Sequence, residues 1–193
     1  MSPRSKEQFE QIRADRKEAI MDAALHIFAE EGYHSASISK IAKRAKISKG
    51  LMYNYFESKH ELLTTLLDEL FEKISDTMQL NSAEALTDDR MISYVEKTFE
   101  IVGSDRPLWK LYFSMIAQSE VMEEAKLKAM QKVGPFLQNM LLYFQNKGCE
   151  DPMVMMRYFM ATLDGAKMQY LFDEENFPME EVKARIIQQF ITD

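Results

Sequence analysis

Apolar residues recur at the spacing of one helix face in segment after segment of this chain. No segment alternates apolar and polar residues with the β-branched enrichment of a strand. Ile20, Ala24, Ile27 and Phe28 make one stripe, and Leu62, Leu63, Leu66, Leu67, Leu70 and Phe71 make another. Chain breakers are scarce, with 6 Gly and 5 Pro in 193 residues, most of them at candidate helix ends. This pattern predicts an all-α protein, a short-helix N-terminal unit followed by a larger helical bundle. With 46% hydrophobic and 28% charged residues, the chain has enough apolar mass for a packed core and is not of disordered composition.

The first helix is expected from roughly 8 to 31, ended by Gly32 as a C-cap. Ser37 opens a second helix with Ile38, Ile41, Ala42 and Ala45 inward. Ser48 opens a short third helix to Tyr55, which only its neighbours can hold. Ser58 caps a fourth that runs to about Leu80 and joins the head to the body. After a loop at 81–89, helices are expected near 88–103, 105–118, 119–147, 151–173 and 178–191. Gly134-Pro135 is expected to kink or break the long middle one, and Pro152 to stand in the first turn of the next.

Charge is divided unevenly. Residues 1–60 carry a net +3 and residues 61–193 a net −10. Within 37–60 there are six Lys/Arg (Lys40, Lys43, Arg44, Lys46, Lys49 and Lys59) against Glu57 alone. A basic helix–turn–helix-like segment on an acidic body is the footprint of a double-stranded DNA reader, and the acidic body discourages the rest of the chain from lying on DNA. One cysteine, Cys149, excludes an internal disulfide. The polar N-terminus has no signal-peptide core and no run of about 18 apolar residues exists, so no membrane role and a cytoplasmic location are expected.

In such a segment the second helix enters the major groove by its N-terminus. Here that N-terminus is Ser48-Lys49-Gly50. Its exposed amides and Ser48 suit a phosphate, and Gly50 lets the backbone come close. Lys49, Gly50, Leu51 and Asn54 are the expected base readers. Tyr53, Tyr55 and Lys59 are expected to hold phosphates, and Ser37 and Lys40 more weakly so. Against this, Ile41, Ala42, Ala45, Ile47, Phe56 and Leu62 are core in any three-helix packing, and Tyr55 is as well suited to packing as to phosphate.

The pattern Ile41-Ala42-x-x-Ala45-x-Ile47-Ser48-x-Gly50-x-x-Tyr53-x-Tyr55-Phe56-x-x-Lys59-x-x-Leu62, preceded by Ala24-x-x-x-Phe28-x-x-x-Gly32-Tyr33, resembles the TetR-type transcriptional regulators. Lys46 stands where that family usually has Gly, at a turn that often wants φ > 0 and so strains a lysine. The resemblance implies a homodimer with an all-α effector domain over 61–193 behind a DNA-binding domain over 1–60. It also implies DNA contact at Ser48, Lys49, Gly50, Tyr53, Asn54, Tyr55 and Lys59. The implied activity is that of a repressor released from a palindromic operator by a small, largely apolar effector.

The body holds 12 of the 15 Met and most of the aromatics. Most of these stripes are expected to be core. The resemblance raises an effector-lining role for Trp109, Tyr112, Met115, Met140, Tyr143, Met160 and Met168. Asp164 lies in an apolar helix and needs a partner. An ion pair with Lys167 or Arg157 is favoured, with the alternative that it faces the effector. Gly165 would allow a second helix close. Phe159, Leu163, Tyr170, Val182, Ile186, Ile187 and Phe190 form stripes too long for one small body, and are the expected dimer face.

An enzyme is not expected. His26, His34 and His60 are dispersed, and there is no phosphate loop or nucleophile elbow. No cofactor or metal is expected either. The rival is a helical protein–protein module, which leaves the charge of 37–60 without a purpose.

Overall fold

A computed structural model of the chain describes residues 6–80, 84–116 and 119–192, with side chains for these apart from 77 and 115–129. The described residues form α1 (Lys6–Glu31), α2 (Ile38–Arg44), α3 (Lys49–Met52), α4 (Lys59–Met78), α5 (Asp88–Ser104), α6 (Arg106–Ile116), α7 (Ser119–Asn146), α8 (Pro152–Phe172) and α9 (Met179–Ile187). A π turn, Gln188–Thr192, follows α9. No strand occurs among the described residues, as the periodicity predicts. None of their helices is long and apolar enough to cross a membrane.

Local chemistry sets the helix ends. Gly32 and Gly148 take φ of 80° and 79° where α1 and α7 stop, a region in which a side chain is penalised. Asp151 caps α8 by accepting from the Val154 amide, with Pro152 in the first turn. Of the kink or break expected at Gly134-Pro135, the break does not occur: α7 runs on through Pro135. Gly134 helps to explain this, because a proline clashes with the Cβ of the residue before it, and Gly has none.

Two apolar clusters form the interior. The first joins α1–α4 to the C-terminal part of α5, to α6 and to Leu171, so the core of the head passes directly into the body. The second lies among α5, α7, α8 and α9. Helix α3 has only four residues, shorter than expected, and is anchored by Met52, which is fully buried. Burying such a side chain contributes about 2 kcal/mol, more than so short a helix supplies by itself.

Helix α4 is fastened to the body at three points. Phe71 meets the Tyr112 ring edge-on at 5.9 Å, Lys73 pairs with Asp105 at 3.6 Å, and Lys132 of α7 pairs with Glu72 at 2.5 Å. Helix α4 begins at Lys59, directly after the α2–α3 segment, so one helix spans from the head to these contacts.

Candidate nucleic-acid interface and effector region

Each short helix of the head starts on a serine, as does α4. Ser37 accepts from the Lys40 amide at 3.3 Å, Ser48 from the Leu51 amide at 3.1 Å and Ser58 from the Glu61 amide at 3.0 Å. Glu61 in turn accepts from the Glu57 amide at 2.5 Å, much as in a capping box. Between α2 and α3 the chain turns at Lys46 with φ 57°, the left-handed conformation expected of that position. A lysine there carries about 1–2 kcal/mol of strain.

The six cations of 37–60 separate into two groups. Lys40 pairs with Glu31 at 2.6 Å, and the Arg44 guanidinium reaches both carboxylate oxygens of Glu30 at 3.1 and 3.0 Å. Lys59 donates to three carbonyls, Tyr33 at 2.7 Å, Ala36 at 3.0 Å and His34 at 3.2 Å, and its ammonium lies 4.4 Å from the centre of the Tyr33 ring. Three acceptors match the three donors of an ammonium. Lys59 therefore ties the α1–α2 turn to the start of α4, in place of the phosphate contact that the sequence pattern suggests. Burial pushes the Tyr33 phenol upward in pKa. Lys43, Lys46 and Lys49 are not buried, and no carboxylate is paired with them among the described residues. The expected phosphate partner Lys40 is engaged, whereas Lys43 and Lys46 are not. Sequence pattern misses this because it does not show which charges have partners.

The start of α3 is open. A Cβ built on Gly50 would meet no atom within 4 Å, and its φ is not left-handed. Neither packing nor backbone conformation inside the subunit requires a glycine there. Tyr53 and Asn54 are exposed beside it, and Leu51 is half-buried. Tyr55 packs against the head core, with the Arg13 guanidinium 6.0 Å from its ring centre. Ser48, Lys49, Gly50, Tyr53 and Asn54 are all exposed at and just after the start of α3, as are Lys43 and Lys46 just before it in the chain.

In the body, Trp109 and Tyr112 lie together at a ring separation of 5.4 Å, at the junction of the first core with α4. Asp164 pairs with Lys167 at 2.7 Å, the ion pair favoured from sequence, and Arg157 is not the partner found. Lys167 is the buried member, 6% exposed, on the inner stripe of α8 with Met156, Phe159, Leu163 and Leu171. Met160 accepts from the Tyr94 hydroxyl at 3.9 Å. Met140 and Tyr143 belong to the second core, apart from Trp109. Tyr143 donates to Asp88 at 2.7 Å, and Lys147 reaches both Asp88, at 3.1 Å, and the Ile191 carbonyl. Those bonds hold the Asp88 carboxyl below the usual range, with Tyr143 the larger cause. Burial, then Asp88, pushes the Tyr143 phenol up. Met168 is 42% exposed, outside any interior site, and the side chain of Met115 lies outside the described residues. No group of three or more His, Cys, Asp or Glu could hold a metal ion among the described residues.

The family model for bacterial regulatory proteins of the tetR family matches residues 20–66, which span the latter part of α1, all of α2 and α3 and the start of α4. Over those residues the chain matches the TetR family. It is 30% identical over 123 residues to the fatty acid metabolism regulator protein of Bacillus subtilis (strain 168), covering 63% of this chain and 60% of that protein. The match therefore spans less than two thirds of that relative's length. Among solved structures, the fatty acid degradation regulator FadR from Bacillus halodurans superposes with a TM-score of 0.72 at 25% identity, over 91% of this chain and 94% of that one. FadR from Bacillus subtilis, in complex with stearoyl-CoA, superposes with a TM-score of 0.67 at 21% identity, over 91% and 97%, a likeness of fold. These similar proteins are named as regulators.

The dimer face expected from sequence is corrected by burial. Phe159, Leu163, Ile186 and Phe190 are 0%, 1%, 3% and 6% exposed within the single subunit. Val182 and Ile187 pack against the second core, and Tyr170 against the first. On the opposite side of α8 a row of apolar residues is left exposed in the single subunit: Val154, Tyr158, Ala161, Gly165, Met168 and Phe172. Their spacing of 4, 3, 4, 3 and 4 is that of a straight helix–helix seam. The signal is present in the sequence, but α8 is apolar on both sides, so periodicity does not say which stripe faces inward.

Proposed function

We propose that this chain is a sequence-specific, DNA-binding transcriptional regulator of the cytoplasm, without enzymatic activity. It acts as a homodimer whose reading heads leave a palindromic operator when a largely apolar effector enters the body. Residues 1–60 serve as the DNA-binding unit and 61–193 as the effector and dimer unit. The observation that carries the reading is the open start of α3, where Gly50 has no role inside the subunit and the exposed Lys43, Lys46 and Lys49 just before it in the chain have no paired carboxylate among the described residues. Lys49 and Asn54 read base edges, Ser48 and Tyr53 position the phosphate backbone, and Lys43 and Lys46 add charge.

The exposed α8 stripe pairs with its copy, with Ala161 and Gly165 letting the helices approach. Two-fold symmetry then sets half-sites about 34–36 Å apart or a multiple of it. The fatty-acid relatives support an effector with a long apolar part. Such an effector acts by preferring one head spacing, through α6, the Tyr112–Phe71 contact and α4. A repressor is favoured over an activator as the simplest use of release.

DNA fragments selected by the purified protein would define the operator, and fluorescence anisotropy would then measure affinity. Gly50→Ala is expected to raise the melting temperature slightly, by about 0.5–1 kcal/mol of helix stability, while lowering operator affinity tenfold or more. Equal affinity in the two proteins would sink the placement of α3 against DNA. Failure to select any sequence would favour the protein–protein module.

A further inference from the structure

The body interior where α6 meets α8 holds a buried hydrogen-bond donor without a partner beside a buried ammonium. Trp109 is 5% exposed and its indole Nε1 has no hydrogen-bond partner. Such a group normally finds one when buried, and leaving it without one costs about 1–3 kcal/mol. Tyr94 of α5 spends its hydroxyl proton on a thioether, a weak acceptor. Lys167 carries its ammonium 5.4 Å from the centre of the Trp109 ring and bonds Asp164, whose side chain is 46% exposed. Tyr112 stands next to Trp109, and burial, then the Asp164 charge, pushes its phenol up to about 12, so it remains a donor at neutral pH. The carboxylate that pairs with Lys167 is half exposed, and no acceptor among the described residues reaches the Trp109 N–H. An interior of this kind is completed by a ligand that brings acceptors and no cation.

We propose that Trp109 Nε1, the Lys167 ammonium and the Tyr112 hydroxyl receive the hydrogen-bond-accepting head of the effector, a carboxylate or thioester carbonyl at the end of an aliphatic chain. This rests on the effector-responsive reading above and names the chemistry of its ligand. The head group takes the Trp109 N–H and shares the Lys167 ammonium with Asp164, while the aliphatic chain occupies the apolar surroundings. Because Trp109 and Tyr112 sit where α6 meets Phe71 of α4, an acceptor held there acts directly on the helix that carries the head. A cationic amphiphile of equal length adds a donor where a donor already lacks a partner, and places a like charge beside Lys167.

Trp109 is the single tryptophan of the chain, so its fluorescence reports this site alone. Lauroyl-CoA, laurate and dodecylamine, each below its micelle concentration, would be titrated into the full-length protein and into its operator complex. The expected result is a shift of tryptophan emission and operator release with lauroyl-CoA or laurate, at concentrations at least tenfold lower than for dodecylamine. Calorimetry on Trp109→Phe, which removes the N–H and keeps an aromatic ring, should show about a tenfold loss for the acceptor-headed ligand and little change for dodecylamine. A melting curve of the variant establishes that it is folded, and the wild-type ligand series stands without it. Dodecylamine binding as tightly as laurate, or an equal loss of both ligands in the variant, overturns the proposal while leaving an effector-responsive regulator intact. If no amphiphile of either kind releases the operator, the effector reading falls and the proposal with it.

Discussion

Lys43, Lys46 and Lys49 of the head stand towards solvent with no carboxylate paired to them among the described residues, whereas Lys167 of the body is buried against an aromatic ring and a single carboxylate. The difference fits what each region is proposed to meet. Phosphates arrive hydrated, and counterion release drives the contact, so long solvated cations suffice. A small apolar ligand arrives in a dry interior, where a donor without a partner is costly and therefore selective. The same contrast appears in two helical glycines. Gly50 and Gly165 both have open space at Cβ and no left-handed φ, so each gives up about 1 kcal/mol of helix stability without a reason inside its own subunit. The head glycine faces the proposed DNA, and the body glycine the proposed second copy.

The strongest way to break this comparison is Gly165→Leu. The side chain has room in the single subunit, so the fold should persist while the α8 seam is blocked. Sedimentation should then show a monomer, and operator affinity should fall by about 100-fold with the loss of bivalent binding. A dimer of unchanged stability would show that the copies meet elsewhere.

Lys59→Met separates two roles for one cation. Three charge-assisted bonds to carbonyls predict a stability loss of about 2 kcal/mol by urea unfolding, with operator affinity falling mainly through a disordered head. An unchanged unfolding midpoint together with a salt slope reduced by about one unit would return Lys59 to the phosphate role.

Lys46→Gly tests strain against charge. Removing a left-handed lysine should stabilise the head by up to about 1 kcal/mol, partly offset by the greater freedom of glycine in the unfolded chain. The salt slope of operator binding should drop by about 0.9 if Lys46 touches a phosphate. A more stable protein with an unaltered slope would remove Lys46 from the interface.

The smallest effect concerns Asp88, far from both surfaces. Its folded pKa lies below the ordinary carboxylate value, so its contribution is present above about pH 4 and is lost as pH falls through the lower, folded value. Because the side chain is about half exposed, screening limits this to roughly 1 kcal/mol or less. Melting temperatures of wild type and Asp88→Asn should differ most near neutral pH and converge in acid. A constant difference down to about pH 3 would mean that the carboxylate charge is not what the Tyr143 and Lys147 bonds depend on.

Most of the head is legible in the chain itself, for a physical reason. Its helices are short, so each needs a visible serine cap, and its turn needs a residue in the left-handed region. These are local requirements that leave local marks at Ser37, Lys46, Ser48 and Ser58. Of these marks Ser48 belongs to the pattern that resembles the TetR family, and Lys46 departs from it. The all-α class and most helix boundaries in the body are also readable, since periodicity and Gly or Pro punctuation are local. Continuity through Pro135 is not, because a helix interruption can be absorbed by what surrounds it.

The sequence by itself determined which segments are helical, that a basic reader precedes an acidic body, and which family the chain resembles. Only the tertiary structure decided which charges are engaged. Glu30 and Glu31 lie far along the chain from the cations they neutralise, and the carbonyls that hold Lys59 are more than twenty residues away. It also decided which stripe of α8 faces inward, because both are apolar and only the packing of α5, α7 and α9 covers one of them. Burial and pairing are properties of residues distant in sequence, and no local pattern carries them.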